Sequence, residues 1–295
     1  MVRLRDICKF LDKENIFYEF QGNPEDSIHG FSSLTYYAEG TMTWCKDSSY
    51  LPQEKRRYTL MVLGRNMEKE GSFLNSIVTD NPKKVFFSVL EEFFGKEEEL
   101  PNVGRGTYVS DNVKLGSNVK IGHNCTLAGD ITIGDNTVIY NNVTIINRVT
   151  IGSDCVIQSG TIIGHDDFAY TEDEEGKKTM IKHYGGVDIG DDVFIAAGCV
   201  INRGTIDNTV ICKGSKIDAN CQISHNVYIG KNSAIISGSR IYGSVRTGEN
   251  VYIASATVKN QLTLGDNCVV GMGSVVLNNV EDNAVVVGAP AKRIR

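Results

Sequence analysis

The histidine at position 225 is the side chain best suited by type and surroundings to acid–base chemistry. It follows Ile223 in the run CQISHNV, and carboxylates occur nearby in the sequence at Asp218 and Asp207. A carboxylate beside an imidazole raises its basicity and fixes which nitrogen carries the proton, as a general base requires. The competing interpretation is a surface histidine without a chemical role, and the neighbouring carboxylates argue against it.

The elements that must position His225 form a repeat with a period of six. This period predicts a solenoid with three flat faces, in which three hexads close a coil of roughly 18 residues. Aliphatic side chains would point inward, and successive coils would stack as parallel strands about 4.8 Å apart. His225 would then stack between Asp207 or Asn208 on one side and Gly243 on the other. The longest unbroken series of in-phase residues is Val109, Leu115, Ile121, Leu127, Ile133, Ile139, Ile145, Ile151, Ile157 and Ile163.

Five of the eight cysteines occupy one position of this repeat, four places after an in-phase aliphatic residue. We expect these thiols to pack inside the coil, because free cysteine behaves as a small hydrophobic residue. None of the eight forms a CxxC pair, which favours reduced thiols in a cytoplasmic protein. The flat sides of such a prism would leave apolar strips in water, which predicts a symmetric oligomer. The five residues are Cys125, Cys155, Cys199, Cys221 and Cys268.

The composition changes near residue 100, which indicates two architectures. Nine of the eleven Phe and the only Trp precede that point, but only six of the thirty Gly do. The fold class predicted is mainly β, with a small α/β domain over 1–100 followed by a parallel β-helix over 101–288. The β-helix carries a loop insert over 165–186, and a basic tail covers 289–295. In the first domain we predict helices over 2–14 and 81–94, strands over 41–45 and 58–63, and a junction over 97–101.

Charge, hydropathy and histidine spacing argue against several classes of function. Lys and Arg number 30 against 36 Asp and Glu, a balance unlike that of a nucleic-acid binder. No run approaches the roughly 18 apolar residues of a membrane helix, so we expect no membrane insertion. Residues 1–15 lack the apolar core of a secretory signal, which favours a cytoplasmic location. His123, His165, His183 and His225 lack the short spacing of metal ligands, so no metal site is predicted.

Several stretches resemble the UDP-3-O-acylglucosamine N-acyltransferases of lipid A biosynthesis, a family of left-handed parallel β-helix enzymes. The resemblance covers roughly residues 1–275. It implies a left-handed coil, a homotrimer, and direct transfer of an acyl group from a thioester to the amino group of a nucleotide-linked amino sugar. The stretches that carry it are GHDDFAY at 164–170, IGDDVFI at 189–195, NRGTIDNT at 202–209, KIDANCQISHNVYIG at 216–230 and, more weakly, GMGSVV at 271–276.

The resemblance assigns roles to individual residues. The family's catalytic base falls on His225, which would take a proton from the attacking amine, and its oxyanion donor falls on the backbone N–H of Gly243. Asp218 matches a residue near the acceptor sugar, and an alternative role is to orient His225. The acceptor and acyl pocket is expected at Asp166, Phe168, Tyr170 and Asp207.

The stretch TWCKDSSY at 43–50 resembles the family's uracil-binding segment, in which two aromatic rings sandwich the base. Trp44 and Tyr50 would be the stacking pair. Asp47 stands where the family usually has Asn, and a carboxylate can accept from the ring N–H but cannot donate to a carbonyl. Base recognition is therefore open between uracil and thymine.

Three departures from the family leave the donor open between acyl-CoA and an acyl carrier protein thioester, with no tightly bound cofactor expected. Residues 258–262 lack the family's second histidine, and Ser274 replaces a Met near the bottom of the acyl pocket. The ending at 287–295 resembles that of sugar acetyltransferases using acetyl-CoA, where Lys292 and Arg293 would contact the donor's phosphates. A solvated basic tail is the competing interpretation.

Two other functions stay open at this level. One is acetyl-CoA-dependent O-acetylation of a sugar hydroxyl by the same histidine. The other is a non-catalytic prism that binds a ligand or serves as a scaffold.

Overall fold

The computed structural model describes residues 1–52, 56–67, 72–95 and 100–295. The chain divides into two compact units, Met1–Glu98 and Glu99–Arg295. Of the predicted junction over 97–101, residues 97–99 lie outside the described residues. Within the described ranges, no helix has the length and apolar character needed to cross a membrane.

The first unit is a small α/β domain, as predicted. Helix α1 spans Leu4–Lys13 and helix α2 spans Pro82–Phe94. The Asn81 side chain accepts a hydrogen bond from the Lys84 N–H at 3.1 Å, which caps α2 at its N-terminus. Helix α1 begins later than predicted because Val2–Arg3 instead pairs as an antiparallel strand with Ser27–Ile28.

A five-stranded sheet packs against α2 in this unit. One edge strand runs antiparallel to its neighbour, and the other pairs are parallel. In spatial order the strands are Glu19–Gln21, Ser76–Thr79, Leu60–Gly64, Thr41–Cys45 and Gly30–Phe31. Shorter elements are the parallel pair Arg57–Tyr58 and Ser72–Phe73 and the 3-10 turns Ser48–Tyr50 and Arg65–Met67.

The second unit is the predicted parallel β-helix with three flat faces. The left hand of the coil stays an expectation from the resemblance. Face one consists of Tyr108–Val109, Thr126–Ala128, Thr144–Ile146, Ile162–Ile163, Val200–Ile201, Gln222–Ile223, Arg240–Ile241, Thr257–Val258 and Val275–Val276. Face two consists of Lys114–Leu115, Ile131–Ile133, Val149–Ile151, Val187–Ile189, Thr209–Ile211, Tyr228–Ile229, Arg246–Thr247 and Thr263–Leu264. Face three consists of Lys120–Ile121, Val138–Ile139, Val156–Ile157, Phe194–Ile195, Lys216–Ile217, Ala234–Ile235, Tyr252–Ile253, Val269–Val270, Val285–Val287 and the antiparallel Lys292–Arg293.

The in-phase aliphatic residues build the core of this unit. Residues such as Ile121, Ile157 and Ile223 are completely buried. The five cysteines of the repeat are no more than 1% exposed, which confirms that they pack inside the coil. Many corners place Asn in the left-handed region, for example Asn136 at φ 57°, because Asn tolerates that conformation better than most residues.

The two main interruptions of the repeat fall on one edge of the prism, between faces one and two. We call this the insert edge. The longer interruption contains an antiparallel hairpin of Tyr170–Glu172 and Lys178–Met180. Both faces keep their parallel pairing through the interruptions. Eight coils of the described chain cross the insert edge, and four consecutive crossings run between residues 163 and 187, 201 and 209, 223 and 228, and 241 and 246.

Candidate active site

His225 lies on the insert edge, directly before a corner residue in the left-handed conformation. That residue, Asn226, has φ 59°. Its side chain accepts a hydrogen bond from the Thr205 N–H at 3.1 Å and donates one to the Asp207 carbonyl at 3.3 Å. These bonds tie the corner to the preceding coil. The His225 side chain remains 26% exposed, so its ring is accessible to a ligand.

The carboxylate beside His225 belongs to Asp167, in the insert. Its Oδ2 accepts hydrogen bonds from the His225 ring at Nδ1, 2.8 Å away, and from the His225 backbone N–H at 2.9 Å. Because an ionised carboxylate can only accept, this contact assigns a hydrogen to Nδ1 and leaves Nε2 of the neutral ring with a lone pair. The geometry is that of a general base with an orienting carboxylate.

Hydrogen bonds keep Asp167 ionised in spite of its burial. Burial of the side chain, which is 11% exposed, favours the neutral acid. Bonds from the His225 ring and amide, together with the Phe168 N–H at 2.8 Å, favour the carboxylate more strongly. The pKa of the Asp167 carboxyl therefore lies well below its usual range. Asp167 stays negative across the pH range in which a histidine ordinarily titrates.

Gly243 lies against the Nε2 edge of His225, one coil further along the edge. A β-carbon on Gly243 would come within 2.5 Å of both Nε2 and Cε1, so a larger residue would displace the ring. The next amide, of Ser244, donates to the His225 carbonyl at 2.9 Å. Within the described residues, the Gly243 N–H itself has no hydrogen-bond acceptor. An unpaired backbone donor beside a base is suited to stabilising an oxyanion.

The insert also brings a second histidine to His225, although the two are far apart in sequence. The ring of His183 lies 5.6 Å from the His225 ring between centroids, at an interplanar angle of 86°. His183 is completely buried, and its backbone N–H donates to Asp166 Oδ2 at 3.2 Å. No group of three His, Cys, Asp or Glu side chains in the described part of the chain is arranged to hold a metal ion.

Two buried polar residues of the next coil hold both ends of the insert. The Arg203 backbone N–H donates to the His165 carbonyl at 2.9 Å, and its Nε donates to the Gly185 carbonyl at 2.7 Å. Asn202 Nδ2 donates to the Asp166 carbonyl at 3.2 Å. The two ends of the insert, which carry Asp167 and His183, are therefore fixed to the β-helix.

The sequence expectation that Asp207 or Asp218 supplies the carboxylate beside His225 is wrong. Asp207 is exposed in the loop between residues 201 and 209, and it contacts the His225 corner through its carbonyl. Asp218 lies on another edge, between faces three and one, so a face of the prism separates it from His225. Its carboxylate accepts from the Ala219 and Ser237 amides at 2.7 and 3.1 Å. Asp218 cannot orient the His225 of its own chain.

Phe168 and Tyr170 project from the insert near its fixed end. Their rings pack edge to face with centroids 5.7 Å apart, and Phe168 is 74% exposed. Lys178 Nζ lies 5.4 Å from the Tyr170 ring centroid and pairs with Glu172 at 3.1 Å. The pocket role expected for Asp166, Phe168 and Tyr170 stays a prediction.

In the first unit, Trp44 and Tyr50 line one cavity of about 450 Å³, together with Ser33, Leu34, Thr35, Cys45 and Lys46. The predicted pair is therefore brought together. Asp47 does not line this cavity. Its carboxylate accepts from the Ser49 N–H at 2.9 Å and caps the 3-10 turn that carries Tyr50, and these bonds lower the pKa of Asp47.

Comparisons with known proteins agree with this architecture. A family model described as bacterial transferase hexapeptide matches residues 130–165, and one described as hexapeptide repeat of succinyl-transferase matches 112–147, 176–203 and 245–278. A UDP-3-O-acylglucosamine N-acyltransferase of Coxiella burnetii is 32% identical over 235 residues, covering 73% of this chain and 68% of that protein. The chain belongs to the UDP-3-O-acylglucosamine N-acyltransferase family.

Other members of the UDP-3-O-acylglucosamine N-acyltransferase family align over shorter segments. The Delftia acidovorans protein is 36% identical over 42% of this chain and 31% of its own length. The Syntrophobacter fumaroxidans protein is 42% identical over 27% of this chain and 22% of its own length. These two alignments therefore span less than two thirds of the relatives' lengths.

Solved structures share the fold at lower identity. UDP-N-acetylglucosamine O-acyltransferase from Moraxella catarrhalis matches 65% of this chain and 74% of its own, with a TM-score of 0.60 and 23% identity. LpxA from Acinetobacter baumannii matches 66% of this chain and 74% of its own, with a TM-score of 0.60 and 20% identity.

Ser274, Lys292 and Arg293, where the resemblance predicts departures from the family, lie in the C-terminal coils of the β-helix. Ser274 is buried, and its hydroxyl accepts from the Gly288 N–H at 3.2 Å. Arg293 pairs with Glu281, and its Nε donates to the Arg295 carbonyl at 3.0 Å. Lys292 is exposed on the antiparallel strand that ends face three. A donor-phosphate role for Lys292 and Arg293 stays a prediction, and for Arg293 it requires exchange of the Glu281 partner.

Sequence reasoning missed Asp167 and His183, two residues of the insert that contact His225. Asp167 lies within the stretch GHDDFAY at 164–170, next to Asp166, which the resemblance places in the acceptor pocket. The only sequence signal for Asp167 is that two aspartates stand side by side at positions 166 and 167. His183 gives no signal at all, because its position next to His225 depends on the path of the whole insert.

Proposed function

We propose that this protein is an N-acyltransferase that moves an acyl group from a thioester to the amino group of a nucleotide-linked amino sugar. The observation that carries the proposal is the Asp167–His225 pair, with the unpaired Gly243 amide beside its Nε2 edge. The aligned relatives are named UDP-3-O-acylglucosamine N-acyltransferases, and that name describes a reaction of this class.

In the first step, His225 acts as the general base. Its neutral Nε2 takes a proton from the acceptor amine as the amine nitrogen attacks the thioester carbonyl. Asp167 holds the Nδ1 hydrogen and balances the positive charge that forms on the ring. General-base assistance of this kind contributes about 10²–10⁴ in rate.

In the second step, the tetrahedral intermediate collapses to the amide. The carbonyl oxygen, negative in the intermediate, accepts a hydrogen bond from the Gly243 N–H, a contribution of about 10²–10³ in rate. When the carbon–sulfur bond breaks, the thiolate leaves and takes the proton from His225. The base is restored, and no acyl-enzyme forms.

The substrates follow from the two units. The cavity that Trp44 and Tyr50 both line would take the flat pyrimidine base, because each of the two side chains carries an aromatic ring for stacking. The acceptor sugar would bind at the insert edge, in a pocket lined by Asp166, Phe168, Tyr170 and Asp207. Asp218 would reach this sugar only from another copy of the chain. The donor is an acyl-CoA or an acyl carrier protein thioester.

Association and location complete the proposal. A homotrimer is supported by apolar outward residues on face three, including Val138, Val156 and Val269, which are only half-buried in the single chain. A cytoplasmic location is supported by eight free cysteines.

The deciding experiment is mass spectrometry of the sugar product. UDP- and dTDP-amino sugars are offered with acetyl-CoA, 3-hydroxyacyl-CoA and acyl carrier protein thioesters. The wild type should add one acyl mass, and His225→Ala should lower the rate of that addition about 10²–10⁴-fold. Gly243→Ala should reduce it strongly, because its methyl group would meet the ring at 2.5 Å. The exposed His29→Ala in the first unit serves as the control and should keep wild-type turnover.

Treatment of the product with mild base separates the chemical alternatives. An amide survives, as expected for N-acylation, whereas an ester is lost and would assign O-acetylation instead. Wild-type protein that acylates none of these sugars with any of these donors would contradict the proposal. The remaining function would then be non-catalytic binding, and the ligand would be sought at the cavity lined by Trp44 and Tyr50.

A further inference from the structure

His183 is the most completely buried titratable side chain in contact with the proposed base. Its Nδ1 lies 3.1 Å from the Ile181 carbonyl, which can only accept, so Nδ1 carries a hydrogen. Its Nε2 is buried and has no hydrogen-bond partner within the described residues. A group without solvent access cannot touch a substrate in this conformation. Any role of His183 must therefore act through its neighbour.

That neighbour is His225, whose ring it meets edge to face at 5.6 Å and 86°. Asp167 holds one nitrogen of the His225 ring, but a single hydrogen bond at Nδ1 leaves the plane of the ring free to rock. An edge-to-face contact between flat rings has a preferred angle and restricts that motion. The Nε2 edge lies against Gly243, where a β-carbon would come within 2.5 Å of the ring, so the useful ring orientation is the one that keeps Nε2 beside the Gly243 backbone.

His183 is itself held rigidly. Its backbone N–H donates to Asp166 Oδ2 at 3.2 Å, and the following segment is tied to Arg203 through the Gly185 carbonyl. Asp166 lies 4.0 Å from the Arg203 guanidinium at Nη1. A second ring fixed in this way can transmit its own position to the base.

We propose that His183 is a positioning residue for the acyl transfer, fixing the plane of the His225 imidazole so that Nε2 faces the acceptor amine. The inference rests on the proposed function and deepens it. His183 takes no proton and touches no reacting atom. A displacement of the base by about 1 Å costs on the order of 10² in rate, which sets the size of the expected effect.

The test separates the ring of His183 from its hydrogen bond. His183→Asn can keep a donor near the Ile181 carbonyl but loses the ring, whereas His183→Phe keeps a ring but loses the donor. We expect kcat to fall about 100-fold in His183→Asn and in His183→Ala, with KM changed less than about threefold. In His183→Phe, kcat should fall much less. Lys182→Ala, an exposed neighbour, is the matched control.

Coupling to the base distinguishes positioning from a general structural role. Adding His183→Ala to His225→Ala should cost little further turnover, because the residue that His183 positions is already gone. The inference would be overturned if the effects of His183→Ala and His225→Ala on turnover were fully additive. An unchanged kcat in His183→Ala and His183→Asn, or an effect confined to KM, would also overturn it. Thermal unfolding of every variant identifies losses that come from misfolding. If His183→Phe does not fold, kcat in His183→Ala and His183→Asn still tests the inference.

A second readout needs no substrate. Diethyl pyrocarbonate modifies accessible imidazoles, and peptide mapping reports each histidine separately. In the wild type, His225 should react and buried His183 should not. His225 should react several-fold faster in His183→Ala, because its ring is freed, and an unchanged rate would contradict the inference. If the wild type shows no turnover but His225 reacts faster in His183→Ala, the proposed function is rejected, whereas the restraint of the His225 ring by His183 is supported.

Discussion

At the residue scale, a single carboxylate oxygen makes two hydrogen bonds to His225. Asp167 Oδ2 bonds both the ring and the backbone amide of His225, so it fixes the side chain relative to its own main chain. Such a double contact orients the imidazole and also anchors the insert to the corner. Asp167 is therefore expected to matter for turnover and for stability.

Asp167→Asn separates these contributions through their pH dependence. We expect kcat to fall at least 100-fold, because the amide is neutral and can favour the wrong His225 tautomer. The folded-state pKa of Asp167 is lowered relative to about 3.9 in the unfolded chain. The ionised carboxylate therefore stabilises the fold above that value, and this stability is lost as the pH falls through the folded-state pKa.

The measurement is chemical denaturation of wild type and Asp167→Asn between pH 3 and pH 8. The difference in unfolding free energy, about 1–3 kcal/mol at neutral pH, should be constant above roughly pH 5 and shrink below roughly pH 4. Glu174→Gln, at the exposed tip of the insert, should show no such difference. A constant difference down to pH 3 would mean that the carboxylate charge does not stabilise the fold.

At the scale of elements, the insert is fixed at both ends and exposed at its tip. Arg203 and Asn202 bond the ends, whereas residues 173–177 form a turn closed by Asp173, which accepts from the Glu175 and Lys177 amides at 3.1 and 2.9 Å. The residues that contact His225 lie at the ends. Removal of the tip is therefore expected to leave the position of the His225 ring unchanged.

Replacing residues 173–177 with an Asn-Gly turn should leave kcat within about threefold of the wild type, since Asn-Gly closes a two-residue hairpin. Arg203→Met, which keeps the tip and removes the bond to Gly185, should lower kcat by a larger factor. Turnover of both variants on the same substrate pair checks the prediction. Equal losses in the two variants would show that the tip itself contributes to the site.

The same contrast explains what could be predicted from sequence. Ile223 and the other in-phase residues repeat one physical requirement in every coil, so their period identifies the fold and places His225 at a corner. Asp167 depends on the path of a non-repeating insert, which no period describes. Asp218 does not lie beside His225, although it is only seven residues away, because that distance in a six-residue repeat carries the chain past a whole face.

At the scale of the whole molecule, the continuous core shields the thiols of the repeat. Cys155 and Cys268 are completely buried, and burial raises the pKa of both thiols, that of Cys268 to about 11. Thiolates are the reactive form, so these side chains are doubly protected.

Iodoacetamide at pH 8 should therefore modify half-buried Cys212 in the native protein well before the five cysteines of the repeat. Among the five, Cys125 and Cys268 should react first, because they lie near the two ends of the solenoid, where coils have fewer neighbours and open more readily. Peptide mapping over time, with urea-unfolded protein as the control, checks this order. Labelling of Cys155 as fast as Cys212 would contradict a continuous core.

The insert edge has a further consequence for how such proteins diversify. Both faces beside it keep their strand pairing although the crossings between them differ in length from coil to coil. A gene lineage can therefore gain or lose residues at this edge without a change of register anywhere else. Length changes at this edge would alter the proposed acceptor site, while the strand register of the faces preserves the fold.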